Sequence, residues 1–187
     1  LRGALVLIAV AFSSGCYSYS NFQSAKLLEP GVTSITPSAS YNTWQDSGSG
    51  DDEIDDWVLD FQIRGGIAPG FEIGAKFSRI RTDEGYYFIA IDPKFALEPE
   101  HLALSCPFGT FFGNELESKL QIHPTLIARL PLEEGLTELN AAVKMLLFFT
   151  ENSDALVAFN FGPRISSNLD RWAIHPEIGF LINPGDD

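Results

Sequence analysis

The chain has 187 residues with 12 Lys and Arg against 25 Asp and Glu, a formal net charge of −13. That length suits one domain with a sizeable interior, and the negative charge excludes nucleic acid as a partner because phosphates would be repelled. No apolar run reaches the ~18 residues of a membrane-spanning helix, which excludes a helical membrane protein.

Arg2 precedes an apolar run from Ala4 to Phe12, and small residues Ser13, Ser14 and Gly15 lead into Cys16. This is the charged, apolar and cleavage-region order of a signal peptide over residues 1–15. Its end resembles a bacterial lipobox, which implies that Cys16 carries acyl chains and becomes the new N-terminus. The alternative is an ordinary signal peptide with a cysteine nearby. Lipidation would leave Cys106 without a disulfide partner, since the chain has 2 Cys. Residues 16–31 read as a periplasmic tether, Ser-rich and aperiodic as far as Ser24, ending in the turn Leu28-Glu29-Pro30-Gly31.

From residue 32 to 187 the pattern has a period of two, so one β domain is expected. A first strand runs over 32–44. An acidic loop follows over 46–56. The clearest unit is the hairpin 57–79, in which Trp57, Leu59, Phe61 and Ile63 alternate with Val58, Asp60, Gln62 and Arg64. Beyond the Gly65 to Gly70 turn, Phe71, Ile73, Ala75 and Phe77 alternate with Glu72, Gly74, Lys76 and Ser78. Further strands are expected over 86–96, 101–108, 116–130, 139–149, 155–165 and 172–182, nine in all, joined by hairpin-length links. The economical topology is an antiparallel up-and-down meander closed into a barrel.

Alternation alone does not say which face is wet: a lipocalin-like barrel hides its apolar set, whereas an outer-membrane barrel turns it to lipid. Three features favour the second. Strands of about 9 to 13 residues can cross a bilayer at a tilt. The apolar set is almost free of charge, while the opposite set mixes Asp60, Arg64, Glu72, Lys76, Asp92, Lys94, Lys119, His123, Arg129, Lys144, Arg164, His175 and Glu177 with Gly and Ala, as a crowded lumen requires. Aromatic residues gather near strand ends, among them Trp44, Trp57, Phe71, Tyr86, Tyr87, Phe95 and Trp172, where a headgroup girdle would sit.

The Cys16 signal, the Leu28 to Gly31 turn and the stretch Gly66-Ile67-Ala68-Pro69-Gly70-Phe71-Glu72-Ile73-Gly74 resemble the small bacterial outer-membrane β-barrel proteins, some of them lipoproteins. The resemblance implies a closed transmembrane barrel in the bacterial cell envelope, with short turns in the periplasm and longer loops outside. It implies no reaction. Even strand parity in such barrels leads to the expectation of a tenth strand beyond residue 187. Pro37, Pro93, Pro124, Pro163 and Pro176 fall inside expected strands, where each removes a ladder donor that a closed barrel would use; bulges or kinks would accommodate them, and an open sheet would do so more easily.

His123 and His175, both in Ile-His-Pro, are the only candidates for a catalytic base. No serine stands at ladder spacing beside either, and no Gly-x-Ser-x-Gly turn exists, so lumen hydrogen bonding is the expected role and no catalysis, metal or cofactor is expected. An open lumen would favour anions, because basic lumen positions outnumber acidic ones; a plugged lumen with paired charges is the preferred alternative. The expected function is that of an outer-membrane β-barrel (lipo)protein with a structural, interaction or narrow-pore role, in contact with outer-membrane lipid. The alternative is a periplasmic lipocalin-like barrel holding an apolar ligand inside.

Overall fold

The computed structural model describes residues 21–45, 53–81, 86–113, 119–133, 135–149 and 155–182. Among them the fold is all-β: one antiparallel sheet of 11 strands with no helix. The strands are β1 (Thr33–Gln45), β2 (Glu53–Ala68), β3 (Phe71–Arg81), β4 (Tyr86–Glu98), β5 (Leu102–Ser105), β6 (Phe108–Phe112), β7 (Lys119–Ile122), β8 (Thr125–Glu133), β9 (Thr137–Phe148), β10 (Ala155–Ile165) and β11 (Ile178–Ile182).

β5 and β6 are two halves of one row, both paired with β4, and β7 and β8 are two halves of the next, both paired with β9. Nine rows therefore follow one another as a meander, the count expected from periodicity, but with different internal breaks. The row expected over 101–108 continues through the supposed tip, because Gly109 to Phe112 pair with Tyr87 to Ala90. The row expected to begin near 172 has its ladder only over Ile178–Ile182, preceded by the single bridge Ile165 to Ile174. The first four residues of β2, read as loop, pair with β1. Cys16, most of the acidic loop and the tips at 82–85 and 151–154 lie outside the described residues.

The prolines explain the breaks. Cys106 N donates to Pro93 O, His123 N to Pro107 O, and Met145 N to Pro124 O. In a strand a residue's N–H and C=O point to the same side, so each of these prolines lacks its donor on the side where its carbonyl is used. Pro93 faces the Cys106-Pro107 break, and Pro107 faces the His123-Pro124 break. The missing donors thus fall along one oblique line, which ends at Pro124 against the unbroken β9. Pro163 obeys the same logic: Ile165, two residues on, exchanges both bonds with Ile174, so Pro163 also points toward the irregular 172–177 segment and spares its ladder with β9. Pro37 lies in β1, whose sole neighbour among the described residues is β2.

The tight links follow turn chemistry. Ala68-Pro69-Gly70-Phe71 joins β2 to β3, with Gly70 at φ +77°, the left-handed conformation that a type II turn needs after proline. At Gly66 a side chain would lie 2.2 Å from the carbonyl oxygen of Glu29. Its absence lets the Leu28 to Gly31 turn dock through Gly31 N to Gly66 O and Gly66 N to Val32 O, both 3.0 Å.

Burial follows the alternation, with the apolar set outward. Trp57, Leu59, Phe61, Ile63, Ile73, Phe77, Ile89, Ile91, Val143, Phe159 and Phe161 are exposed, while Asp60, Gln62, Arg64, Glu72, Asp92, Lys94, Asn140, Lys144 and Asn160 are buried. The buried face lines a concave interior. Lys76 on β3 and Lys144 on β9 line one small cavity, although four strand spacings of ~4.8 Å would hold them about 19 Å apart in a flat sheet, so the sheet curls strongly about its polar face.

Gly162 lies hard against the backbone of the 172–177 segment: a Cβ there would lie 2.0 Å from Pro176 O. Gly162→Ala is expected to push the 172–177 segment off β10 and to cost about 1–3 kcal/mol of unfolding free energy, measurable by urea titration. A variant as stable as the parent would show that this approach is not a constraint.

Candidate functional site

The interior is built in rows that cross the strands. Arg64, Gly74 and Asp92 are register neighbours on β2, β3 and β4, and Gly66, Glu72, Lys94 and Ser105 form the next row. A large charged residue beside a small one recurs: Lys76 faces Ala90, and Lys144 faces Ala158. The small residue is what lets the long one cross. A Cβ on Gly74 would sit 2.9 Å from Arg64 Nη1, so the guanidinium lies directly over Gly74 on its way to β4.

There it makes the central contact of the interior. Arg64 Nε meets Glu72 Oε1 at 2.6 Å and Nη1 meets Asp92 Oδ2 at 2.5 Å, while Lys94 Nζ reaches Glu72 Oε1 at 2.8 Å. Ser105 Oγ donates to the other oxygen of Asp92 at 2.5 Å, and Lys76 pairs with Asp60 at 3.3 Å. Burial in a low-dielectric interior is costly for any of these charges alone, and the row geometry gives each a partner. A second cluster centres on Glu138 of β9, which accepts from Arg129 Nε at 2.5 Å, Arg164 Nη1 at 3.2 Å and Asn140 Nδ2 at 3.1 Å.

The interior also holds an apolar cluster. Val58, Ile80, Phe88, Phe111, Leu146 and Ala158 form one buried cluster, bordered by Tyr86, Phe148, Leu156 and Leu181. It lies toward the opposite strand ends from the β2–β3 and β8–β9 turns, so the enclosed space has an ionic half and an oily half.

Into the ionic half runs a segment that sequence periodicity placed in a tether. Asn21, Gln23, Ser24 and Ala25 are buried. Asn21 N and Phe22 N donate to the two carboxylate oxygens of Glu177 at 2.7 and 3.0 Å, Gln23 Nε2 donates to Asp92 at 2.9 Å, and Leu28 N donates to Glu72 at 2.9 Å. Lys26 Nζ meets Asp170 at 2.9 Å. The stretch expected as a tether is thus docked from residue 21 onward, held by carboxylates on distant strands. Aperiodic sequence carries no sign of those partners.

Of the expected interior residues, Asp60, Arg64, Glu72, Lys94, His123 and Lys144 are buried on one face, and Lys76, Arg129, Arg164 and Glu177 make their contacts on that same face. Lys119 is in β7, paired with Phe111. His123 Nε2 lies 2.9 Å from Gln121 Oε1, with the ring stacked on Phe88 at 5.3 Å. His175 meets the Phe22 ring edge-on at 6.1 Å. The two histidines thus sit among different neighbours. Cys106 is a free thiol at the break between β5 and β6. Glu138 and Gln23 were missed by pattern reading; the alternation of Glu138, Asn140, Ala142 and Lys144 could have found the first, and nothing local marks the second. Adding Glu138 to the acidic side reduces the basic excess on which an anion preference rested.

No protein-family model, no curated protein and no solved structure matches this chain.

Removing one partner from the central cluster should be far costlier than removing the pair. Glu72→Ala is expected to cost about 3–5 kcal/mol in chemical unfolding, and Glu72→Leu combined with Lys94→Met less than the sum of the two single changes. At the mouth of the interior, the hydrogen bond and charge of Lys26 hold the Asp170 carboxyl below its ordinary value of 3.8. Because the folded value is depressed, that contact's contribution is complete above the unfolded value and fades as pH falls through the folded one. Lys26→Met should raise the Asp170 titration midpoint seen by carboxyl NMR; an unmoved midpoint would show that the pair does not form in solution.

Proposed function

We propose that this chain is an outer-membrane β-barrel protein of the bacterial cell envelope, acting as a structural or interaction protein without catalysis. The observation that carries the reading is the inverted burial: aliphatic and aromatic side chains cover the outside of the sheet, and paired ions fill the inside. In water such an outer face is costly, at ~25 cal/mol for each Å² of exposed apolar surface, whereas acyl chains solvate it without penalty. The exposed belt includes Leu59, Phe61, Ile63, Ile73, Ile91, Val143, Met145 and Phe159. Aromatic pairs flank it: Tyr41 with Trp57 at 5.2 Å and Tyr87 with Phe112 at 5.4 Å toward one set of strand ends, and Phe71 with Phe95 at 4.9 Å toward the other. These are the depths at which aromatic girdles sit.

In this reading the sheet closes into a barrel, the short β2–β3, β4–β5 and β8–β9 turns face the periplasm, and Cys16 is the lipidation site after removal of the signal peptide. A carrier of apolar ligands would need its greasy set inside, and the interior here holds ion pairs, an apolar cluster and residues 21–28. The same filling supports a barrel that does not conduct.

The test is depth-resolved quenching in vesicles. A dye on Ile73→Cys should be quenched by lipids brominated along the acyl chain, whereas a dye on Lys76→Cys, three residues away, should not. Equal quenching at both sites, or recovery of the protein without detergent in the aqueous fraction, would overturn the membrane reading. Planar-bilayer recording of the inserted protein should show no steady current.

A further inference from the structure

We propose that the ionic half of the interior is a cleft for an extended peptide segment, and that residues 21–28 occupy it in cis as a detachable strap. Several observations converge on this. The strap touches the cleft mostly through hydrogen-bond donors: the amides of Asn21, Phe22 and Leu28 and the side chains of Gln23 and Lys26. Their interior acceptors stand on opposite walls, Glu72 and Asp92 on β3 and β4 against Glu177 before β11.

Phe22 adopts φ +43°, a conformation that costs a bulky residue about 1–3 kcal/mol and that turns two consecutive amides onto one carboxylate. The Glu177 site therefore reads backbone, as a peptide-binding site does, and reads it strongly enough to hold strain. Ala25 packs on Ala103, Ile127 and Ala142 with Leu27 beside it, but residues 21–28 join no strand ladder. A segment held outside the ladders belongs to the low-stability end of a fold and opens before the sheet does.

The apolar cluster around Phe88 and Leu146 fills one end of the interior, and Lys26 and Asp170 stand exposed toward the other. Strap release would therefore open the interior at the Asp170 end. What fits it is an extended segment offering backbone amides to Glu177 and Glu72, a side-chain amide to Asp92 and a cation to Asp170. This proposal does not depend on the membrane reading, since every contact lies inside the sheet.

The experiment replaces residues 21–28 by a Gly/Ser stretch of equal length and adds the synthetic peptide Asn-Phe-Gln-Ser-Ala-Lys-Leu-Leu in trans. Expected is one-to-one binding by calorimetry to the replaced variant, little binding to the parent protein, and affinity at least about ten-fold weaker when Glu177→Gln is added. Equal binding of a scrambled peptide, or none to a folded replaced variant, would overturn the proposal. A second measurement covers failure of that variant to fold: Ala25→Cys in a Cys16→Ser, Cys106→Ser background, labelled by a water-soluble maleimide. Slow labelling whose rate is insensitive to low urea shows strap release from an intact sheet. Labelling only along with global unfolding makes the segment an inseparable part of the core and overturns the idea. Silent bilayers together with peptide binding would leave this cleft standing whether or not the chain enters vesicles.

Discussion

The structure depends on the contact of Arg64 with Glu72 and Asp92 across Gly74. A guanidinium and two carboxylates are enclosed in a space that water does not freely solvate, and they are tolerable there because each has a partner at hydrogen-bond distance. That demand dictates the rest of the row: glycine at 74 so that the arginine can pass, serine at 105 to satisfy the far oxygen of Asp92, and Lys94 beside Glu72 to balance charge. It also fixes which way the sheet curls. Once the polar face is the inner one, the period of two sends every Leu, Ile and Phe of the alternating set outside.

A sheet that wraps a crowded interior must bend, and the prolines supply the bends. Pro93, Pro107 and Pro124 follow one another along an oblique line; Pro93 and Pro107 face rows that are themselves interrupted, and Pro124 faces Met145 of the unbroken β9. The same device frees Cys106, His123 and their neighbours from strict ladder geometry, which is how the His123 ring comes to lie flat on Phe88. Pro163, near the end of β10, turns its missing donor toward the irregular 172–177 segment, and that segment carries Glu177 to the amides of Asn21 and Phe22.

The interior is thus two environments in series. Its oily half is held by packing around Phe88 and Leu146. Its ionic half receives residues 21–28, whose amides and side chains reach Glu177, Asp92 and Glu72. A segment held by hydrogen bonds outside the strand ladders is the part of such a fold most able to exchange with another chain of the same chemistry.

Much of this was legible in the sequence because alternation is a local property. Trp57 to Ile63 against Val58 to Arg64 states a two-faced strand whatever the fold, and the mixture of Arg, Lys and Glu with Gly and Ala on one face states that this face is crowded. The Pro69-Gly70 turn and the nine-row meander follow from equally local chemistry. What tertiary structure decided is everything that depends on who meets whom across strands distant in sequence: that Arg64 finds Asp92 over Gly74, that Glu138 gathers Arg129 and Arg164, that rows break where prolines line up. Above all it decided the place of residues 21–28, whose composition says only that they form no regular element. Their burial rests on hydrogen bonds to carboxylates as many as 156 residues away, and no pattern within the segment can express partners located elsewhere in the chain.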